Sequence, residues 1–323
     1  MINIGLIGYG YWGPNLARNI MAHPDTQLLV VCDRDPLRTE GLRSMHPSVQ
    51  ITTRPEDIIN NRAVAAIVVA TPLASHYELA MAALSAGKHV LVEKPIAATS
   101  EQAAEMAEEA ACRNLTLLVD HTFVYTGAVR KMRDITRESS FGQIQYYDST
   151  RVNLGIFQRD INVVWDLAVH DLSIMTYLLE DDPVAVSATG HSHIQGQHEN
   201  MASLTLFFDT NLIAQVNVNW LSPVKIRRTL IGGSKQMIVY DDLETSEKLK
   251  IYNKSVKVTE TPDEIHKLLI SYRTGDLWSP NVDSTEALQR EIEHFLSCIS
   301  GEQSPLTSAE DGVKIIRILE ATD

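Results

Sequence analysis

A glycine-rich segment near the start of the chain constrains the fold more than any other feature. Gly8, Gly10 and Gly13 have the spacing GxGxxG, directly after the apolar run of residues 2–7 and before a helical stretch at residues 14–22. In such a unit the first glycine permits a tight turn, the second lets the backbone approach a pyrophosphate, and the third lets helix and strand pack closely. Free N–H groups at the start of the helix then face the phosphates. The spacing therefore predicts a dinucleotide-binding turn.

Short apolar runs and helical stretches alternate through the first 120 residues. Further strands are predicted at residues 28–32, 65–70, 89–92 and 115–119, and helices at residues 73–86 and 100–112. Near-continuous apolar strands in alternation with helices indicate a parallel sheet that is covered on both faces. We therefore predict an α/β fold whose N-terminal domain, residues 1–120, is a doubly wound Rossmann sheet.

The pattern changes after residue 120. Strands are predicted at residues 143–153, 184–191, 202–209, 212–220 and 224–231, and helices at residues 165–179, 285–299 and 309–319. Several of these strands alternate apolar and polar residues, which indicates an antiparallel sheet with two different faces. The prediction for residues 121–323 is an α+β domain with a large, open, mainly antiparallel sheet. The last two helices are short and amphipathic enough to pack back on the first domain.

Composition excludes several classes of partner. The 323 residues include 28 Lys and Arg against 41 Asp and Glu, a formal net charge of -13. This balance argues against nucleic acid and anionic membrane surfaces as partners. No apolar run approaches the roughly 18 residues that a membrane helix needs. Cys32, Cys112 and Cys298 lack CxxC spacing, which predicts neither disulfides nor a metal site and favours a cytoplasmic location.

An acidic residue follows the second predicted strand and selects the cofactor. Asp33 lies 20 residues after Gly13, where a carboxylate accepts hydrogen bonds from the adenosine ribose. Its charge favours NAD over NADP, although the adjacent Arg34 offers a partner for a 2′-phosphate. His76 is either a cofactor contact or a surface or capping histidine. The other predicted cofactor contacts are loop and strand-end residues: Tyr11, Trp12, Thr71, Pro72, Glu93 and Lys94.

Two further segments resemble one enzyme family. Residues 68–95, VVATPLASHYELAMAALSAGKHVLVEKP, resemble the signature of the Gfo/Idh/MocA oxidoreductases, which include glucose–fructose oxidoreductase and inositol dehydrogenase. Residues 165–171, WDLAVHD, resemble the D-x-x-x-H catalytic helix of that family. The resemblance implies a Rossmann domain, a C-terminal domain with a large open sheet, and homodimers or homotetramers built through that sheet.

The predicted chemistry depends on three side chains. Oxidation of a secondary alcohol needs a hydride acceptor and a base for the hydroxyl proton. Asp166 and His170 are four residues apart, so on a helix they share one face and the carboxylate can orient the imidazole. The resemblance implies that Lys94 reaches the reacting hydroxyl, where its ammonium would stabilise an alkoxide. The sequence leaves open whether Lys94 or His170 takes the proton. The non-functional alternative for Asp166 and His170 is an exposed pair on a helix surface, and for Lys94 it is a solvated loop residue.

The segment RVNLGIFQ, residues 151–158, resembles the family branch that oxidises sugars carried on nucleotide diphosphates. Residues 162–165, NVVW, stand where many members have a glycine-rich stretch. This difference argues against assigning the substrates of those members to this chain. Candidate substrate contacts are cationic or polar: His121, Tyr125, Arg151, Asn153, Gln158, Arg159 and His170. The arginines alternatively pair with surface carboxylates. We predict oxidation of a nucleotide-linked hexose, such as C3 of a UDP- or dTDP-sugar; the alternatives are an inositol or free aldose dehydrogenase and a dinucleotide-sensing regulator without turnover.

Overall fold

The chain divides into two units in a computed structural model, which describes residues 1–155, 161–194, 198–253, 256–257, 271–272 and 275–323. The first unit contains Met1–Thr126 and Thr285–Glu320. The second contains Gly127–Ser284 and Ala321–Asp323. The two helices near the end of the chain therefore belong to the unit that begins with the glycine turn.

Six parallel strands form the sheet of the first unit, whose residues are all described. They are β1 (Ile2–Ile7), β2 (Thr26–Cys32), β3 (Gln50–Thr52), β4 (Ala66–Val69), β5 (His89–Glu93) and β6 (Leu117–Asp120). Their spatial order is β3-β2-β1-β4-β5-β6, so the order reverses between β1 and β4. Every residue of β4 is buried, as expected for a parallel strand with helices on both faces. The predicted Rossmann sheet is confirmed, and its ligand edge lies at the carboxyl ends of these strands.

The helices are α1 (Gly13–Ala22), α2 (Pro36–Met45), α3 (Glu56–Ile59), α4 (His76–Ser85), α5 (Ser100–Cys112), α6 (Gly127–Thr136), α7 (Val169–Leu178), α8 (Ala287–Ile299) and α9 (Ala309–Glu320). Of these, α6 and α7 lie in the second unit. Apolar residues of α1 and α8, including Leu16, Ile20, Ile292 and Phe295, form one core cluster with the strands of the first sheet. Helices α2, α3 and α6 were not predicted. In α2 the buried residues are Thr39 and Leu42, too few for an apolar stripe.

The second unit has a mainly antiparallel sheet, as predicted. Its described strands are β7 (Ile144–Leu154), β8 (Ala185–His191), β9 (Met201–Phe207), β10 (Ile213–Asn219), β11 (Leu221–Gly233), β12 (Met237–Asp241), β13 (Leu249–Tyr252) and β16 (Leu277–Trp278). Two short strands, β14 (Val256–Lys257) and β15 (Ser271–Tyr272), form a separate antiparallel pair. The order in the described residues is β16-β13-β12-β11-β7-β10-β9-β8. β7 and β10 are parallel and the other pairs are antiparallel.

Burial alternates along β9 and β10, so one face of this sheet packs on the core and the other is exposed. The strands β12 and β13 were not predicted, because they are short and lie beyond the longest alternating run. None of the described helices is long and apolar enough to cross a membrane.

Candidate active site

The glycine turn has the geometry that its spacing predicts. Gly8 has a φ of 101°, and a Cβ there would lie 2.3 Å from the carbonyl oxygen of Ala70. A Cβ on Gly13 would lie 2.7 Å from the carbonyl oxygen of Gly8. These two glycines are therefore required by a left-handed turn and by close backbone packing. The first turn of α1 has no side-chain cap and no acidic residue, which suits a helix N-terminus that faces an anion.

Asp33 is held at the end of β2 by backbone hydrogen bonds. Its Oδ2 accepts from the Tyr9 amide at 2.7 Å, and its Oδ1 accepts from the Asp35 amide at 2.9 Å. The carboxylate thus lies beside the glycine turn, in the position that suits an adenosine ribose. Arg34 is exposed. Arg38, which was not predicted, has its Nη1 3.9 Å from Asp33 Oδ2 and 3.2 Å from the position that a Cβ on Gly10 would take.

Two loops at the carboxyl edge of the first sheet are joined by His76, the first residue of α4. The His76 ring is 1% exposed, with Nε2 2.7 Å from the Thr71 carbonyl oxygen and Nδ1 2.8 Å from the Pro95 carbonyl oxygen. Burial lowers the pKa of His76. The alternative of a surface or capping histidine is wrong, because the ring links the loop after β4 to the loop after β5. Its contact with the cofactor, like those of Thr71 and Pro72, stays a prediction.

The end of β5 carries Glu93 and the half-buried Lys94. Glu93 Oε2 accepts from the Lys94 amide at 3.2 Å, whereas Oε1 is buried and has no hydrogen-bond partner among the described residues. Burial and the neighbouring Asp120 carboxylate raise the pKa of Glu93 well above its ordinary value.

The segment after β6 places two predicted substrate residues differently. His121 is 2% exposed, and within the described chain neither of its ring nitrogens has a hydrogen-bond partner. Burial and the Lys94 charge lower its pKa to about 3, so the ring is neutral. Tyr125 is 1% exposed and its hydroxyl shares a hydrogen bond with Thr307 Oγ1 at 2.9 Å. Tyr125 is therefore a core residue of the first unit, and its predicted contact with a sugar stays a prediction.

In the second unit the predicted catalytic helix begins with a π-helical turn, Val164–Ala168, and continues as α7. Asp166 lies in the wider turn, and its Oδ2 accepts from Trp220 Nε1 at 3.0 Å. Trp220, which was not predicted as a site residue, lies flat against Gly155, where a Cβ would come within 2.5 Å of its ring. The buried indole thus holds the Asp166 carboxylate. π-turns are often found at functional sites.

His170 is half-buried in the first turn of α7, four residues after Asp166. Its predicted role as a base is untested by this placement, and so is the role of Asn153, which is half-buried on β7. Gln158 and Arg159 lie outside the described residues.

Arg151 is placed in the core of the second unit. Its side chain and that of Asp171 are each 3% exposed, with Nε 2.7 Å from Oδ2 and Nη2 3.3 Å from Oδ1. This bidentate pair joins β7 to α7. The guanidinium is thus paired with a carboxylate of its own unit, and the predicted role of Arg151 in binding a diphosphate stays a prediction.

Models of a protein family match both parts of the chain. A model described as the oxidoreductase family with an NAD-binding Rossmann fold matches residues 2–121. A model of the GFO/IDH/MocA C-terminal domain matches residues 129–239.

Curated relatives differ in their reactions. UDP-N-acetylglucosamine 3-dehydrogenase of Acidithiobacillus ferrooxidans is 26% identical, over 98% of this chain and 94% of its own. scyllo-Inositol 2-dehydrogenase (NADP(+)) of Bacillus subtilis is 26% identical, over 99% and 92%. 2,7-Anhydro-N-acetylneuraminate hydratase of Escherichia coli is 26% identical, over 82% and 74%.

Solved structures show the same fold. The Acidithiobacillus ferrooxidans UDP-N-acetylglucosamine 3-dehydrogenase superposes with a TM-score of 0.83 at 23% identity, over 99% of this chain and 96% of that one. GenD2 from gentamicin A biosynthesis, solved in complex with NAD, superposes with a TM-score of 0.82 at 20% identity, over 99% and 92%.

Proposed function

Because the chain belongs to the Gfo/Idh/MocA oxidoreductase family, we propose that it is a dehydrogenase that oxidises a secondary alcohol of a nucleotide-linked hexose. The observation that carries the proposal is the presence of Lys94, Asp166 and His170 in a chain that also has an NAD-binding turn. A regulator that only sensed the dinucleotide would not need an ammonium, a carboxylate and an imidazole of these types in this order.

The cofactor fits the residues of the first unit. The turn at Gly8 and Gly13 leaves backbone rather than side chains facing the start of α1, which favours a pyrophosphate. Asp33 accepts backbone hydrogen bonds on both oxygens and presents a negative charge, which favours the ribose hydroxyls of NAD over the 2′-phosphate of NADP. When bound, the nicotinamide supplies the hydride acceptor.

The three catalytic candidates divide the remaining work. The Lys94 ammonium stabilises negative charge on the substrate oxygen as the hydroxyl is oxidised. Either His170 or Lys94 takes the hydroxyl proton. Asp166, held by the Trp220 indole, favours the imidazolium that forms. Trp220 is thus a positioning residue for the carboxylate.

The substrate class is supported by similarity and by charge. The relative that acts on a UDP-sugar matches 98% of the chain and makes C3 of a UDP- or dTDP-hexose the favoured position. Because Arg151 lies in a buried pair, the candidate cationic partners of the diphosphate are Lys225 and Arg228, which are exposed on β11. The inositol dehydrogenase relative, which matches 99% of the chain, supports an inositol or free-sugar substrate as the second candidate.

We also propose a homodimer or homotetramer built through the exposed face of the second sheet. Met201 and Phe207 on β9 and Ile213 on β10 are 45%, 42% and 39% exposed. Phe207 and Ile213 are register partners, so the apolar side chains are adjacent. Phe207→Lys should lower the mass measured by light scattering in solution, and an unchanged mass would exclude this face.

A substrate panel and two variants test the proposed reaction. The protein is incubated with NAD and UDP-hexoses, dTDP-hexoses, inositols and free aldoses, and NADH is followed by absorbance. Lys94→Ala and His170→Ala should each lower kcat at least roughly 100-fold and leave NAD binding intact. Lys314→Ala and His46→Ala, which alter exposed side chains, are the matched controls. NADH formation from unlinked sugars alone would exclude a nucleotide-linked sugar as the substrate. Normal turnover in both variants would exclude Lys94 and His170 as catalytic residues.

A further inference from the structure

Two buried carboxylic acids, Asp120 and Glu291, and the half-buried Glu93 lie near one another in the first unit. Glu93 and Asp120 end the adjacent strands β5 and β6 and are register partners. Glu291 projects from α8 and is 0% exposed, with no hydrogen-bond partner for either oxygen among the described residues. Three negative charges in one place, two of them buried, would be strongly unfavourable. The cluster must therefore keep most of its protons.

Asp120 is hydrogen-bonded through both of its carboxyl oxygens. The Trp12 indole Nε1 donates to its Oδ2 at 3.2 Å, and the Thr122 hydroxyl donates to its Oδ1. Both oxygens therefore accept, which is the behaviour of a carboxylate. The side chain is 2% exposed, so these two donors replace water.

Glu93 and Glu291 have the surroundings of neutral acids. Burial raises the pKa of each well above its ordinary value, and the Asp120 charge raises both further. The Lys94 ammonium opposes this shift for Glu93 without reversing it. The other titratable groups beside the cluster are uncharged, since His121 has its pKa lowered and Tyr125 has its pKa raised.

We propose that Asp120 is a positioning residue of the cofactor site, which fixes the dinucleotide-binding turn by accepting a hydrogen bond from Trp12. Trp12 precedes Gly13 and occupies the cap position of α1. Its indole reaches a residue 108 positions away in the chain, at the end of β6. The hydrogen bond therefore ties the turn that receives the pyrophosphate to the sheet edge that carries Lys94.

Loss of the hydrogen bond between Trp12 and Asp120 should lower the affinity for the dinucleotide, and not only the stability of the unit. The N–H groups in the first turn of α1 bind phosphate only in one orientation, so a small rotation of the Trp12 backbone weakens several hydrogen bonds together. Loss of one hydrogen bond to a charged acceptor corresponds to about a tenfold change in an equilibrium. This inference rests on the NAD-binding domain and is independent of which sugar is the substrate.

A double-mutant cycle read by NAD binding tests the link. Trp12→Phe keeps the ring and removes the donor, and Asp120→Ala removes the acceptor. Each should weaken NAD binding about fivefold to tenfold in titration calorimetry. The double variant should bind NAD as weakly as either single variant, because the same bond is removed once. Asp120→Asn, whose amide oxygen can accept from Trp12, should return the affinity to within about threefold of the parent.

Two controls separate positioning from stability and from turnover. Glu293→Gln alters an exposed acid on the same helix as Glu291 and should leave NAD affinity unchanged. Melting temperatures are measured alongside; a lower melting temperature with unchanged NAD affinity would mark Asp120 as merely structural. Additive losses in the double variant, or unchanged affinity in Trp12→Phe, would overturn the proposal even if Asp120→Ala fails to fold. Since no sugar is present in the titration, a failure here is distinct from a failure of the proposed reaction.

Discussion

The buried ion pair of the second unit gives a sharp prediction for stability. Arg151 and Asp171 are each 3% exposed and are joined by two N–H···O contacts of 2.7 and 3.3 Å. Asp171→Asn removes the negative charge and leaves the guanidinium buried. Because the buried guanidinium then loses the carboxylate that accepts two of its hydrogen bonds, this single change should strongly destabilise the unit.

The expected magnitude follows from the burial of both partners. Removing one member of a buried pair costs about 3–5 kcal/mol. For a domain of 150–250 residues each kcal/mol lowers the melting temperature by about 2–4 °C, so the loss should be about 6–20 °C. Replacing both partners by apolar residues, as in Arg151→Met with Asp171→Leu, should recover most of that loss, because neither charge is then left alone.

The assay is thermal unfolding of the parent, Asp171→Asn and the double variant, followed by circular dichroism. NAD binding serves as a check that the first unit is folded. If Asp171→Asn costs less than about 1 kcal/mol, water reaches the pair and the buried-pair argument fails. A double variant as unstable as the single variant would show that the hydrogen bonds, and not the unpaired charge, dominate. A double variant that is stable but has a KM for nucleotide sugar raised more than roughly tenfold would support the predicted substrate role of Arg151.

Three other outcomes are expected from the first unit. Gly8→Ala should abolish NAD binding and lower the free energy of unfolding by at least about 2 kcal/mol, because its Cβ would meet Ala70 at a positive φ. The control Gly41→Ala, which has open space around its Cβ, should raise the stability measured by chemical denaturation. The stability that Glu291 contributes should fall as pH rises above 4.5, since folded Glu291 retains a proton that the unfolded chain releases. The parent should therefore lose stability relative to Glu291→Gln as pH rises, and a difference between the two proteins that does not change with pH would argue against a neutral acid. Asp33→Asn should lower the preference for NAD over NADP roughly tenfold in paired titrations.

The first sheet could be predicted because the residue types that its turn and its strands require are visible in the sequence. The Gly8 turn needs a positive φ and a close approach to Ala70, and both requirements appear in the sequence as glycine. The strand β4 is buried on both faces, so each residue is apolar and the run is visible. In the second unit, β9 and β10 were visible because burial alternates along them. The short strands β12 and β13 offer too few residues for a period to emerge.

The candidate site was less predictable, because a polar residue type does not reveal where its side chain is buried. Arg151 and Tyr125 have the chemistry of sugar and phosphate ligands, yet Asp171 and Thr307 satisfy them inside the two units. His76 has the chemistry of a surface cap and instead bridges two loops. In each case the deciding partner lies far along the chain, and no spacing rule connects the two residues.

The Trp12–Asp120 contact shows why such partners escape a motif. GxGxxG specifies where glycine is needed and places no requirement on the other loop positions. The motif therefore assigns no role to a tryptophan between its glycines. An aspartate at a strand end likewise reads as a surface or ligand residue, because buried acids are rare unless paired. Only the fold brings the indole N–H to the carboxylate, 108 residues away. The fold also places Glu93 and Glu291 where burial, and after it the Asp120 charge, raises the pKa of each. If that cause is right, replacing Asp120 by Asn should also let the pKa of Glu93 fall, since the charge that raises it would be gone; the pKa can be followed by the carboxyl infrared band of the protonated acid, and a band unchanged between pH 5 and 8 would show that burial alone holds the proton.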